Sequence, residues 1–294
     1  MRTRLWAGAG ALVLTTTALT TMGGPVSAAT PSAPPVVTIA MTGAQVTISQ
    51  ATMRPGVVEF HVGKTIVIPG DQGGPDTLSI IRTDHLDQLV AAVPVLFGDP
   101  TDPAAAAAAV SAIKTIHAIG TVYGGGNKGT VWQVNLPAGN YYAIAVNATA
   151  MGLAKPVGFT VAGTPRNAVL HATQAAVRAV GTVGHNRWEF DQPGGRAVSW
   201  LRFTNKSHEL HFLDMAGVDP STTNAMVKKA LNSPAEPKFF TGPNLNFDVL
   251  SPGVTVAIQA AMPAGTYLLT CFMPSEGDGM PHAMMGMYKL VDVK

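Results

Sequence analysis

The chain has one cysteine, Cys271, among 294 residues. A single thiol cannot form a disulfide within its own chain, so a scaffold stapled by cysteine pairs is excluded. Such a thiol is buried and inert, bonded to another chain, or bound to a metal. The residue types around Cys271 are needed to distinguish between these three roles.

Long hydrophobic runs are also missing, since no stretch reaches the roughly 18 apolar residues that a membrane-spanning helix needs. The N-terminal run after Arg2 and Arg4 is short, rich in Gly, Ala and Thr, and ends at Val26-Ser27-Ala28, which fits the small-x-small rule for signal peptidase. Residues 1–28 are therefore predicted to be a secretory signal peptide, followed by a linker over 29–35. We expect a protein exported to the secreted fraction or the exterior of the cell envelope, with no membrane span.

Charge of either sign is scarce, with 19 Lys and Arg against 17 Asp and Glu. Cleavage of the signal peptide removes Arg2 and Arg4 and leaves 17 basic residues against 17 acidic ones. A balance near zero without basic clusters argues against nucleic acid or an anionic surface as a partner.

Short β-branched or alternating runs separated by turns make up most of the remaining sequence, for example VVTIAM, GVVEFHV and TVWQVNL. Three helical stretches interrupt them, at Asp84–Val93, at Pro103–Ala118 and near Ser221–Leu231. The glycine-rich segment Tyr123–Gly129 is interpreted as a turn. The pattern predicts an all-β class with short helical insertions.

The strand pattern occurs twice. LPAGNYYAIAV, at 136–146, aligns with MPAGTYLLTCF, at 262–272, so that Pro-Ala-Gly-x-Tyr recurs 126 positions apart. DTLSII at 76–81 and HELHFL at 208–213 form a second matching pair. We therefore predict two tandem domains, at 36–163 and 166–294.

The two copies differ in their sulfur and imidazole side chains. In this alignment His208, Cys271 and Met287 stand where the first copy has Asp, Ala and Val, and no histidine there matches His282. A β fold needs its strands in both copies, but it does not need Cys, His and Met in one of them. The asymmetry therefore favours a site in the second copy.

Thiolate, thioether and imidazole are ligands that suit copper, and two His, one Cys and a weak axial Met make a blue-copper site. The candidate ligands are His208, Cys271, His282 and Met287. His208 is preferred over His211 because strand alternation places it on the same face as the two apolar residues of HELHF.

These motifs resemble the cupredoxin family of plastocyanin-like blue-copper proteins. GTYLLTC resembles the family's Gly-x-Tyr-x-x-x-Cys strand, NKSHELHF its Asn-containing turn before His-x-apolar-x-apolar, and HAMMGMYKLVDV its closing loop and strand. The resemblance covers 168–294 with ligand motifs and 36–163 as a ligand-free copy. It implies two Greek-key β-sandwich domains, one copper ion, one-electron transfer and a redox partner protein.

Ten residues separate Cys271 from His282, more than the family's loops contain, and the prolines and glycines among them supply turns for folding back. Met285 competes with Met287 as axial ligand, and Met287 is preferred because it keeps the family register into the last strand. Two alternatives stay open: Cu(I) handling without redox cycling by the methionines of this segment, and a metal-free structural or interaction module.

No enzymatic activity is expected. A multicopper oxidase needs His-x-His pairs and a His-Cys-His core, whereas Cys271 is flanked by Thr270 and Phe272. His208 and His211 lack the helical i, i+4 spacing of zinc hydrolases, and no third group is evident to orient a Cys–His nucleophile.

Overall fold

A computed structural model describes residues 31–294 except 43–44, 64–76, 98–100, 128, 148–151, 234 and 236. The segment predicted to be a signal peptide, 1–28, lies outside these residues. The described residues form 18 strands, three α-helices and one short 3-10 helix. Among them, no helix has both the length and the apolar character needed to cross a membrane.

The elements of the two halves are as follows. The first half contains β1 Val36–Thr42, β2 Gln45–Ile48, β3 Thr52–Met53, β4 Gly56–Val62, β5 Thr77–Thr83, β6 Gly120–Gly126, β7 Val131–Leu136, β8 Gly139–Asn147, β9 Gly152–Leu153 and β10 Val157–Val161. The second half contains β11 Ala175–Thr182, β12 His185–Asp191, β13 Val198–Asn205, β14 His211–Val218, β15 Phe240–Leu250, β16 Thr255–Met262, β17 Gly265–Thr270 and β18 Tyr288–Val293. The helices are α1 Leu86–Ala92, α2 Pro103–Ile119 and α3 Asn224–Leu231, and the 3-10 helix spans Val93–Phe97.

The helices lie close to their predicted positions, and two of them, α2 and α3, begin after residues that are good caps. Pro103 opens α2, where its fixed φ suits the first helical position, and the Asp102 carboxylate accepts a hydrogen bond from the Ala104 N–H at 2.9 Å. Thr223 caps α3 in the same way through its hydroxyl. Each cap satisfies an N–H group that the start of a helix leaves without an intrahelical partner.

The strands form two sheets. The first has the order β12-β11-β13-β16-β7-β4-β1-β2, and the second has the order β18-β17-β14-β15-β6-β5-β8-β10-β3, with β9 beside β8. Both sheets contain strands of each half, joined by the pair β16–β7 in the first and β15–β6 in the second. The prediction of an all-β, cupredoxin-like sandwich is confirmed, and the two halves share one continuous buried core.

The repeated Pro-Ala-Gly-x-Tyr motif forms the same corner in both halves. The Tyr141 hydroxyl donates to the Pro137 carbonyl at 2.7 Å, and the Tyr267 hydroxyl donates to the Pro263 carbonyl at 2.9 Å. Both rings are buried. A buried tyrosine that bonds back to the backbone a few residues upstream is a recurrent feature of β-sandwich corners. The repeat in the sequence is therefore also a repeat in structure.

The glycine-rich segment that was interpreted as a turn is a strand over most of its length, since β6 extends to Gly126. Its glycines are needed because neighbouring atoms fill the space beside them. A Cβ on Gly125 would lie 1.6 Å from the Leu78 carbonyl oxygen, and one on Gly124 would lie 2.4 Å from the Phe247 ring. β6 pairs with β5 on one side and β15 on the other, so this close packing is where the halves meet.

Gly125→Ala should destabilise the protein by about 2 kcal/mol or more, because overpacking costs roughly 1–3 kcal/mol and the clashing atom here belongs to the backbone. Chemical unfolding followed by tryptophan fluorescence measures this loss. The control is Gly158→Ala in β10, where the nearest atom to the added Cβ is a Tyr142 ring carbon at 3.3 Å, which can move aside. Equal losses in the two variants would contradict tight packing at β6.

Candidate metal centre

Two adjacent antiparallel strands bring the first two functional side chains together. His211 opens β14, and Cys271 directly follows β17, whose Thr270 pairs with Asp214 of β14. This register places both residues at the same end of the strand pair. The Nδ1 atom of His211 lies 3.5 Å from the Sγ atom of Cys271, and both side chains are fully buried.

The segment after Cys271 folds back and supplies a second histidine. Pro274 and Pro281 face each other in an isolated antiparallel bridge, which closes the loop at its base. Below the bridge, the His282 N–H donates to the Met273 carbonyl at 2.9 Å. The Nδ1 atom of His282 then lies 3.6 Å from the sulfur of Cys271, with the ring only 1% exposed. The ten-residue loop is thus compatible with a compact cluster.

The structure corrects the choice of His208. This residue is exposed in the turn before β14, whereas His211 is buried at the start of the strand. The inward face of β14 consists of His211, Leu213 and Met215, because the alternation of side chains begins at His211. The side chains alternate as predicted, but β14 begins at His211, three residues later than the strand predicted from the sequence.

The pairing of strands also corrects the alignment of the two copies. Thr270 and Ile144 are equivalent through the 126-residue repeat, and they pair with Asp214 and Ser79, respectively. The residue three positions before Asp214 is His211, so His211 rather than His208 corresponds to position 76 of the first copy.

The two candidate axial methionines lie in different surroundings. Met287 is buried in the same core cluster as Cys271, and its N–H donates to the His282 carbonyl at 2.9 Å. Met285 is 37% exposed. Burial beside the cluster therefore favours Met287 as the thioether ligand, in line with the register of the sequence motif.

The three buried side chains are arranged as the ligands of one metal ion would be. One ligand atom each from His211, Cys271 and His282 lies within 4.8 Å of the others. Metal–sulfur and metal–nitrogen bonds of about 2.3 and 2.0 Å, at angles near 110–120°, would set the N···S separations at about 3.5–3.7 Å. The two measured separations are 3.5 and 3.6 Å. A thiol has one hydrogen to share between two facing Nδ1 atoms, whereas a cation satisfies all three donors at once.

A buried carboxylate lies on the far side of the His282 ring. Oε1 of Glu209 is 3.4 Å from Nε2 of His282 and accepts a hydrogen bond from the Glu276 N–H at 2.7 Å. Its Oε2 accepts from the Gly184 N–H at 3.0 Å and from the side-chain amide of Asn186. Glu209 is not among the site residues predicted from the sequence, because its three other donors come from segments far away in the chain.

These contacts set the protonation of the cluster. Burial acts to raise the pKa of Glu209, but the nearby His282 ring and the hydrogen bond from the Glu276 N–H outweigh it and lower that pKa to about 2. Burial acts to lower the pKa of His282, but its contacts with Cys271 and Glu209 raise it to about 9. Burial, and then the charge of His282, hold the pKa of His211 well below its usual value. His211 is therefore a neutral imidazole with Nδ1 facing the sulfur.

The metal-free protein should lose stability as the pH rises through about 9, where His282 loses its proton. The pKa of His282 is raised from 6.5 to about 9 in the folded state, so its charge stabilises the fold fully below pH 6.5 and not at all above about 9. Chemical unfolding between pH 6 and 9.5 should show a decline of about 1 kcal/mol or more. The decline should shrink in His282→Gln, and an unchanged slope in that variant would rule out His282 as its source.

Comparison with known proteins returns distant similarities to solved structures. No protein-family model and no curated protein matches the chain. Auracyanin B is 24% identical, with 40% of this chain and 86% of that chain covered, at a TM-score of 0.25. A dithionite-reduced auracyanin from the photosynthetic bacterium Roseiflexus castenholzii is 20% identical, with 40% and 94% covered, at 0.25. A multicopper oxidase is 10% identical over 88% of each chain, at 0.23.

Similarities at this level carry no conclusion about this chain, so both the fold and the chemistry of the site rest on its own strands and side chains. The resemblance to cupredoxins predicted from the motifs is confirmed by the two-sheet fold together with the cluster of His211, Cys271 and His282, which fits a blue-copper site.

Proposed function

We propose that the protein is an exported, copper-binding electron carrier and not an enzyme. One copper ion would be held by His211, Cys271 and His282, with Met287 as a weak axial ligand. The observation that carries the proposal is the thiol sulfur of Cys271 within 3.6 Å of two imidazole Nδ1 atoms in a fully buried cluster. This donor set is the one that copper takes in blue-copper sites.

Copper bound there would supply a one-electron couple between Cu(II) and Cu(I). The chain holds its donors in place without the ion: His211 and Cys271 through paired strands, and His282 through its backbone hydrogen bond to Met273. Burial keeps water from the ligand atoms. Donors fixed in this way move little when the oxidation state changes, which favours electron transfer over slow ligand exchange.

Cu(I) handling is the second candidate, favoured by Met284 and Met285, which are 38% and 37% exposed. Thioether sulfur binds Cu(I) well, and surface methionines offer a route for delivery. The Cys271 cluster, however, is closed to solvent, so passing the ion onward would require the loop to open. Electron transfer to a partner protein therefore remains the preferred function, and the signal peptide predicted at 1–28 supports the proposal of export.

Recombinant protein loaded with Cu(II) should bind one ion and show an intense visible band from thiolate-to-copper charge transfer. The band should disappear in Cys271→Ser and in His211→Ala, and it should persist in His208→Ala, which is the matched control because His208 is exposed. Absorption titration measures all four proteins.

The outcomes separate the candidates. A colourless protein that does not bind copper would contradict the proposal. The metal-free structural or interaction module would then be the remaining alternative. Stoichiometric Cu(I) binding without the visible band would favour handling. Loss of the band in His208→Ala alone would restore the first ligand assignment.

Met287→Leu should raise the reduction potential and alter the visible spectrum, because removing a weak sulfur donor favours Cu(I) over Cu(II). Met285→Leu should leave both nearly unchanged, since Met285 lies at the surface. Spectroelectrochemical titration of the copper-loaded variants tests this. The opposite pattern would make Met285 the axial ligand.

A further inference from the structure

Glu209 is a carboxylate with no exposed surface, placed two residues before a proposed ligand. A buried carboxylate is costly unless hydrogen bonds compensate for the lost water. Here three donors from two separate segments do so: the Gly184 N–H and the Asn186 side-chain amide of one turn, and the N–H group of Glu276. Such an arrangement fits a fixed anion better than a neutral acid, because each of these groups donates to the carboxylate.

The fourth neighbour of this anion is the ring of His282. Nδ1 of His282 faces the sulfur of Cys271, and within the described residues the only polar contact of Nε2 is Oε1 of Glu209, at 3.4 Å. Metal-binding histidines commonly donate their other ring N–H to a carboxylate, which fixes the ring orientation and makes the ligand nitrogen a stronger donor. Glu209 occupies the position of such a carboxylate beside the His282 ring.

The first half of the chain helps to hold this arrangement. His117 of α2 lies 2.6 Å from the carboxylate of Glu276, the residue whose N–H donates to Glu209. A Cβ on Gly279 of the same loop would lie 2.6 Å from the Ala106 carbonyl oxygen, so α2 packs directly on the loop. The ligand-free half thus contacts the segment that presents both Glu276 and His282.

We propose that Glu209 is the positioning residue for His282: its carboxylate accepts the Nε2–H, holds Nδ1 toward Cys271, and shifts the preference of the site toward Cu(II). The part that concerns copper rests on the proposed function. The part that concerns the orientation of the ring does not, because it applies to the metal-free protein as well.

The orientation is tested in the metal-free wild type by nitrogen-resolved NMR of the histidine rings. We expect a His282 Nε2–H resonance at pH 7 that exchanges with water at least tenfold more slowly than the ring N–H of exposed His208. A His282 Nε2 without a proton, or one that exchanges as fast as His208, would overturn the role of Glu209. This measurement needs neither copper nor a variant.

The preference for Cu(II) is tested with Glu209→Gln, in which an amide NH2 replaces one acceptor oxygen. We expect the ratio of Cu(II) to Cu(I) affinity to fall at least tenfold. For a one-electron couple this corresponds to a rise in the reduction potential of about 59 mV. The control is Asp214→Asn, which removes the charge of a half-buried acid of β14 that contacts none of the ligands and keeps an amide oxygen to accept from the Thr270 hydroxyl, so the pairing of β14 with β17 is retained. That variant should change the ratio less than threefold.

Further measurements distinguish a failure of the Glu209 proposal from a failure of the proposed function. Glu209→Asp retains the charge, should fold if the Gln variant does not, and should lie between wild type and Glu209→Gln in potential. An unchanged potential in a folded, blue Glu209→Gln protein, or an equal shift in Asp214→Asn, would overturn the effect on copper. A wild type without the blue band would refute the proposed function, and the NMR result would still decide the role of Glu209.

Discussion

The register between β14 and β17 is the constraint on which the site depends. Pairing of Asp214 with Thr270 brings His211 and Cys271 to the same end of the two strands, and the Thr270 hydroxyl donates to the Asp214 carboxylate at 3.0 Å across that pair. A slip of one residue would turn His211 to the opposite face, and a slip of two would move it by about 7 Å along the strand. The alternating burial of β14 opposes both slips, since either would expose or misplace its apolar side chains.

The way the two halves are joined gives the ligand-free half a structural role at the site. If the halves were independent sandwiches, the ligand-free copy would have no bearing on the metal cluster. They instead share both sheets through β16–β7 and β15–β6, and α2 of the first half contacts the loop between Cys271 and His282. The copy without ligands therefore supports the loop between Cys271 and His282. This loop is longer than the one in the cupredoxin pattern that the sequence resembles. A longer loop needs more external support to keep its histidine in place.

Much of the fold follows from local pattern, and the errors arise where two distant segments meet. The strand alternation, the helical stretches and the repeated motif can each be recognised within a short segment, so they could be predicted from the sequence, which also singled out Cys271, His282 and Met287. His208 and His211 lie an odd number of residues apart and must face opposite sides of a strand, so the choice depended on where β14 begins, which pairing decides. The glycines of β6 and the anion Glu209 were missed for the same reason, since their roles exist only through atoms of other strands and loops.

The buried pair of Glu209 and His282 explains how a closed metal site can exist without its ion. Two opposite charges in a dry interior are costly when separated, but adjacent and hydrogen-bonded they compensate each other. In the metal-free protein the charged imidazole of His282 balances Glu209, as the raised pKa of the one and the lowered pKa of the other indicate. A cation held at Nδ1 would displace the proton there and would leave a positive charge on the same side of the ring. Glu209 would thus face a positive group in both states, so its charge would stay compensated whether or not a metal is bound.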